Sequence, residues 1–174
     1  MRRMRRIRFK KPRGRRVKIL VLLVSLALAA FHYFLRPSGV PGSHGSRGSN
    51  DPRCGGVAAC LAGQVTRVVD GDTLDVSGDR IRLVLVDAPE RATRFGPAAT
   101  EYLRELCPLG STALVDQDDL QQTDNYGRIL AVIWCGEVRV NEAIIRAGHA
   151  RLYKRFCRRS EFGLQLWAVT LGCE

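Results

Sequence analysis

A small β-barrel with helices packed on it, mainly β and of the α+β class, preceded by a transmembrane helix, is the fold this sequence predicts. Three observations carry the prediction. Several short β-rich stretches alternate with two or three helical ones. An uncharged apolar run follows a strongly basic N-terminus. All six cysteines lie between Cys54 and Cys173. The 174 residues suit one compact domain with extra segments.

The N-terminal elements come first. Residues 1–18 hold 11 of the 28 Lys/Arg and no acid, so beyond Lys18 the chain carries 17 bases against 17 acids. A formal net charge of +11 therefore does not describe a basic nucleic-acid-binding domain. Ile19–Leu35 is a 17-residue run without formal charge, at the short limit for a spanning helix, with Phe31, Tyr33 and Phe34 where an interfacial aromatic belt would lie. The positive flank places residues 1–18 in the cytoplasm and the rest outside, with the cell membrane as the location. Ala27-Leu28-Ala29 has the small-x-small pattern of a signal-peptidase site, which would make the body a secreted one. The uncleaved anchor is the expected form, because apolar and aromatic residues continue past Ala29. Residues 36–56 contain 13 Gly, Ser or Pro in 21 and read as a flexible linker, leaving 57–174 as the folded domain.

Within that domain Gln64–Val69 and Thr73–Val76 are β-rich stretches on either side of an Asp70-Gly71-Asp72 turn. Arg80–Val86 is the strongest strand. Pro97 suits the first turn of a helix whose Ala98, Tyr102 and Leu106 share a face. Thr112–Val115 and Ile129–Trp134 are further strands. Val140–Ala147 is a short helix ended by Gly148, and Ser160–Leu171 is another, capped by Ser160 and stopped by Gly172. Six cysteines in an exported domain predict three disulfides out of 15 possible connectivities. Local pairing, Cys54–Cys60 and Cys157–Cys173 with Cys107–Cys135 remaining, is the expectation, although sequence alone cannot choose. Zinc is disfavoured, since no CxxC occurs and His149 is the only histidine in the body.

Four segments concentrate chemistry: Val69–Thr73; Arg82 with Asp87-Ala88-Pro89-Glu90; Asp124–Arg128; and the basic and aromatic stretch Arg151–Phe156. Asp70, Asp72, Asp87 and Glu90 would repel one another without a cation, and oxygen donors of this kind suit a hard ion such as Ca²⁺. Asp-Gly in a turn is most often only a turn, and Asp70 alone would carry no more than that. Arg82 and Arg128 offer the bidentate donors that grip a phosphate, where lysine would offer a point charge. Taken singly, Arg82 reads equally well as a strand residue facing solvent, and Arg128 somewhat more readily as a turn residue after Gly127. One geometric obstacle stands out: strict alternation puts Arg82 and Asp87 on opposite faces of one strand, so their convergence needs a bend.

Val-Asp-Gly-Asp-Thr, then Arg-Leu-Val-Leu-Val-Asp-Ala-Pro-Glu, then Asp-Asn-Tyr-Gly-Arg closely resemble the staphylococcal nuclease family, from about Gln64 to Arg155. The resemblance implies a five-stranded oligonucleotide/oligosaccharide-binding (OB-fold) barrel with helices. It implies calcium ligands at Asp72, Asp87 and the carbonyl of Ala88, with Asp70 nearby. It implies the water-activating glutamate at Glu90, phosphate-gripping arginines at Arg82 and Arg128, and substrate contacts from Tyr126, Tyr153 and Lys154. Alanine at 88 replaces the threonine of the best-known members, which matters little where the ligand is a main-chain oxygen. The loop Arg91–Arg94 is shorter than in the best-known member and has fewer lysines. The family's tyrosines near the third helix align poorly with Tyr153 and Phe156. The C-terminal stretch from Cys157 to Cys173 is similar instead to cysteine-bearing relatives from other prokaryotes, and reads as a disulfide-tied helix.

The resulting expectation is a membrane-anchored, extracytoplasmic, calcium-dependent endonuclease acting on DNA and RNA, preferring single-stranded or frayed substrate, with no obligate protein partner. Its rival is a surface-tethered module that binds nucleic acid without cutting, favoured by the neutral body. A second is a structural role at the cell surface, with residues 1–18 gripping anionic lipid or DNA.

Overall fold

The computed structural model describes residues 51–174. The basic tail of 1–18, the anchor expected at 19–35 and the linker up to residue 50 lie outside the described residues. Among the described residues no helix is long and apolar enough to cross a membrane.

Alternating apolar side chains need a closed surface to bury one face, and five strands supply it. β1 (Cys60–Val68), β2 (Thr73–Val76) and β3 (Asp79–Leu83) form an antiparallel meander. β4 (Val86–Asp87) leaves it. Helix α1 (Gly96–Leu106) then leads to β5 (Thr112–Gln117) and β6 (Ile129–Cys135). β5 pairs with β1 and β6, and β6 runs parallel to β3, so the order β3-β2-β1-β5-β6 returns to β3 and closes a five-stranded barrel. Closure removes the free edges that an open sheet would expose. A register shift between Val65 and Arg67 brings both Val65 and Val68 inward, as a bulge does. They meet Leu74, Ile81, Val115 and Ile133 in the interior.

β7 (Val138–Arg139) extends β6 as a hairpin and runs into α2 (Val140–Arg146), whose Val140 and Ile144 are buried in the same core as the barrel interior. β8 (Arg151–Leu152) pairs with β4. A 3₁₀ helix at Lys154–Arg159, a second at Glu161–Leu164 and α3 (Leu166–Leu171) complete the chain. These last segments cover the outer face of β6, where Leu130 and Val132 meet Phe162, Trp167 and Ala168 in a second apolar cluster. Disulfides join Cys54–Cys60, Cys107–Cys135 and Cys157–Cys173, the local pairing expected. The described end of the Gly/Ser/Pro segment is strapped to the barrel: Arg53 donates to the carbonyl of Gly136 at 2.8 Å, and Gly55 N–H donates to Asp116 at 3.0 Å.

Three expectations are corrected. The strand expected at Arg80–Val86 breaks at Val84–Leu85, which form a turn. On α1 the fully buried face is Ala99 and Leu103 rather than Ala98, Tyr102 and Leu106; the last two pack only at the margin. The disulfide at Cys107, one turn beyond Leu103, ties that face to β6. The helix expected at Ser160–Leu171 is split at Gln165, which is extended. Its ends hold as expected: Ser160 Oγ accepts from Phe162 N–H at 3.2 Å, and Gly172 closes α3 in the left-handed region at φ 109°.

Candidate functional site

The site begins at the β1–β2 turn. Asp70 Oδ1 accepts the N–H of Asp72 at 3.1 Å, an Asx turn that points the Asp72 carboxylate into the protein. Gly71 must be glycine: a Cβ there would sit 2.6 Å from the Ala99 side chain and 2.8 Å from that of Ala88. Asp72 is buried. Its Oδ2 accepts the N–H of Ala88 at 2.9 Å and pairs with the Arg82 guanidinium from β3, while Oδ1 accepts the Thr73 hydroxyl at 3.1 Å. One carboxylate thus joins the β1–β2 turn, β3 and the end of β4.

The bend that alternation demanded is at Leu85, a non-glycine residue at φ 61°. That conformation costs about 1–2 kcal/mol for an L-residue, and the surroundings hold it. Val84 N–H donates to Ala131 at 2.9 Å and Tyr153 N–H donates to the Leu85 carbonyl at 2.8 Å. The Val84 carbonyl accepts from Asn141 Nδ2 at 2.9 Å. Asn141 is wholly buried; its Nδ2 also donates to the Ala131 carbonyl at 3.1 Å, and its Oδ1 accepts Ile133 N–H at 3.0 Å. Beyond the bend the chain resumes as β4, and Arg82, Asp87 and Glu90 now line one cleft.

The cleft encloses about 490 Å³, and Tyr126, Arg128 and Tyr153 also border it. The loop before β6 is organised by Asp124, whose Oδ1 accepts the N–H of Tyr126 at 2.9 Å and of Arg128 at 3.0 Å. Its Oδ2 takes Arg128 Nε at 2.6 Å, leaving the two Nη groups for another acceptor. Burial works to raise the Asp124 pKa, but the hydrogen bonds from Arg128 and Tyr126 together outweigh it and hold the carboxyl below its ordinary value. Arg82 moves down from the usual guanidinium range, first through burial and then through the positive charge of Arg128; Asp70, Asp87 and Asp124 oppose the change. It remains charged. Its Nη1 is buried in an ion pair with the Asp72 carboxylate.

Asp87 and Glu90 are exposed at the cleft, as a group that must meet solvent water or an ion has to be. Asp72, Asp87, the Ala88 carbonyl and Asp70 supply only oxygen donors, a set that fits a hard divalent cation by chemistry. Among the described residues no three of these acids bring their oxygens within 4.8 Å of one another; the single such trio there is Cys54, Cys60 and Asp116, whose sulfurs are joined in a disulfide. Arg82 meanwhile balances the charge of Asp72. Lys154 Nζ lies against Gly172 and does not line the cleft; its neighbours Arg155, Phe156 and Arg159 do. Sequence reasoning missed Asn141, whose only trace is a polar residue at the start of an apolar helix, and Arg159, which is indistinguishable in sequence from Arg158.

A family model described as staphylococcal nuclease homologue matches residues 80–166. An uncharacterized endonuclease of Escherichia coli is 37% identical over 105 residues, covering 58% of this chain and 66% of that protein, so the chain spans just under two thirds of its length. Protein ParB of Escherichia coli is 37% identical over 107 residues, 54% of this chain and 58% of its own. The thermonuclease of Staphylococcus hyicus is 30% identical over 141 residues, 76% of this chain and 78% of the other.

Proposed function

Since the chain belongs to the staphylococcal nuclease family, we propose that its cleft hydrolyses the phosphodiester bonds of DNA and RNA, as a calcium-dependent endonuclease outside the cytoplasm. The observation that carries this reading is the convergence of Arg82, Glu90 and Arg128 on one cleft across the Leu85 bend. A purely structural barrel has no use for a strained bend at that position.

In this reading the Nη groups of Arg128 and Arg82 hold the non-bridging oxygens of the scissile phosphate. Glu90, exposed at the mouth, accepts a proton from the attacking water as its oxygen bonds to phosphorus. The bond from phosphorus to the 5′-oxygen breaks opposite the attack, and that oxygen takes a proton from solvent. A 3′-phosphate and a 5′-hydroxyl result, as the family implies. The two guanidiniums stabilise the charge that builds on the equatorial oxygens. Asp72, Asp87 and the Ala88 carbonyl, with Asp70 nearby, would hold calcium, which supplies Lewis-acid polarisation and charge neutralisation at the phosphate. Tyr126 and Tyr153 offer faces on which splayed bases stack, which favours single strands. Three disulfides support an oxidising compartment, and the apolar run 19–35 supports attachment to the membrane.

The test incubates the oxidised full chain with single-stranded DNA and with RNA, in calcium or in chelator, beside Arg82→Ala and Glu90→Gln. Calcium-dependent cutting that both substitutions cripple is the expected result. Calcium-assisted binding with no cutting by the folded wild type would instead leave a nucleic-acid-binding module.

A further inference from the structure

Beyond Lys18 the chain is formally neutral, and both arginines at the reactive end of the cleft are already held by carboxylates, Arg82 by Asp72 and Arg128 by Asp124. Attraction for a polyanion must come from elsewhere. The same cleft continues along the 3₁₀ helix Lys154–Arg159, from which Arg155 and Arg159 line its wall. Both are exposed, and among the described residues neither enters an ion pair. Phe156 stands between them, with the Arg159 guanidinium carbon 5.3 Å and that of Arg155 5.8 Å from its ring centroid. Tyr153 meets the ring edge-on, centroids 4.6 Å apart and planes at 70°.

This wall is fixed from behind. Cys157, in the middle of the helix, is buried and bonded to Cys173. The next 3₁₀ turn packs so closely that a Cβ on Gly163 would fall 1.9 Å from the Cys157 carbonyl oxygen. Two guanidiniums outside any ion pair and a half-buried aromatic ring are thereby presented on a braced element.

We propose that Arg155, Phe156 and Arg159 form a second subsite, which takes the phosphates and base next to the unit held by Arg82 and Arg128. The ligand class is a single-stranded polynucleotide several phosphates long, not a mononucleotide or dinucleotide. The proposal rests on the reading of the cleft as a nuclease site, and it assigns the charge that draws the strand in to residues separate from those that cut it. Guanidiniums bind the strand's phosphates in a salt-dependent way, whereas the aromatic ring stacks a base with little regard to salt.

Fluorescence anisotropy tests it with the oxidised full chain carrying Glu90→Gln, in calcium, against a twelve-nucleotide deoxythymidine strand, a deoxythymidine dinucleotide and inorganic polyphosphate. Replacing Arg155 and Arg159 with Ala together is expected to weaken binding of the longer strand about tenfold, and to reduce the slope of log affinity against log salt by about 1.4. Dinucleotide binding stays as it was. Arg155→Lys with Arg159→Lys retains the slope, and Phe156→Ala weakens the strand about tenfold with the slope unchanged. Unaltered affinity and slope in the double Ala variant, or an equal loss for the dinucleotide, would overturn the subsite. Polyphosphate binding as tightly as the strand, with Phe156→Ala silent, would overturn its base-binding part. Cleavage by the wild type with the double Ala variant unaffected removes the subsite and leaves the nuclease. Slope-bearing binding with no cleavage by the wild type removes the nuclease and leaves the subsite.

Discussion

The two walls of the cleft are built on opposite principles. The acidic wall, with Asp87 and Glu90 backed by the buried Asp72, follows β3 and the Leu85 bend and is positioned by hydrogen bonds to the main chain: the Asp72 carbonyl accepts Leu83 N–H at 2.8 Å, and its carboxylate accepts Ala88 N–H at 2.9 Å. The basic wall, with Arg155, Phe156 and Arg159, sits on a 3₁₀ helix outside the barrel and is positioned by side-chain packing and one disulfide. Register fixes the first wall, so altering its placement means refolding strands. The second can change its charge or stacking without disturbing the barrel. In the proposed reading, chemistry that tolerates little displacement falls on the former and substrate capture on the latter.

Substitutions are expected to separate the two walls in a graded way. Glu90→Gln is expected to have the largest effect, lowering kcat about 10²–10⁴-fold with an unchanged thermal midpoint, because the Glu90 side chain is exposed and only its main-chain carbonyl, which the substitution keeps, holds the loop through Thr93. Asn141→Ala attacks the placement of the acidic wall from behind. It strips partners from the buried Ile133 N–H and Val84 carbonyl, at about 3 kcal/mol in denaturant unfolding. Kinetic loss should accompany it, since the Leu85 bend loses a support. Cys157→Ser with Cys173→Ser opens a loop of 16 residues in sequence separation and should cost about 2–3 kcal/mol. Its kinetic effect should fall on KM for long strands, with kcat for the dinucleotide retained.

The smallest expected effect lies away from both walls. Burial, aided by the charges of Asp119 and Asp118 and opposed by the Gly55 hydrogen bond, raises the Asp116 pKa from 3.8 to about 6. The folded state therefore holds a proton that the unfolded state has released between those values, and stability falls as pH rises from about 4 to 6. Above pH 6 the whole burden, of the order of 1–3 kcal/mol, is present. Asp116→Asn keeps an acceptor for Gly55 N–H, so it should raise the thermal midpoint at pH 7 and flatten its dependence on pH between 4 and 6.

The contrast between the walls also explains what was legible in the sequence. Strands with alternating burial, such as Asp79–Leu83, where Ile81 and Leu83 are buried and Arg80 and Arg82 are more open, can be read residue by residue, because one face meets the core and the other does not. The acidic wall was legible instead from its motifs, Val69–Thr73 and Asp87–Glu90, and from the resemblance they carry, since alternation alone set Arg82 and Asp87 on opposite faces. The bend was not: nothing local marks Leu85 for a left-handed conformation, which is imposed by Asn141, Ala131 and Tyr153 from other elements. The split of the C-terminal helix at Gln165 follows from the close packing of Gly163 and the Cys157–Cys173 bond, which are tertiary facts. Likewise Lys154 and Arg155 are adjacent in sequence, yet the 3₁₀ turn sends one to Gly172 and the other to the cleft.

The most direct test of the divided cleft is steady-state cleavage of a long single strand in calcium, comparing Glu90→Gln with the double Arg155→Ala, Arg159→Ala variant. The first is expected to lose kcat and retain KM, while the second retains kcat and raises KM about tenfold. The same parameter falling in both variants, or no loss of kcat in Glu90→Gln, would contradict it.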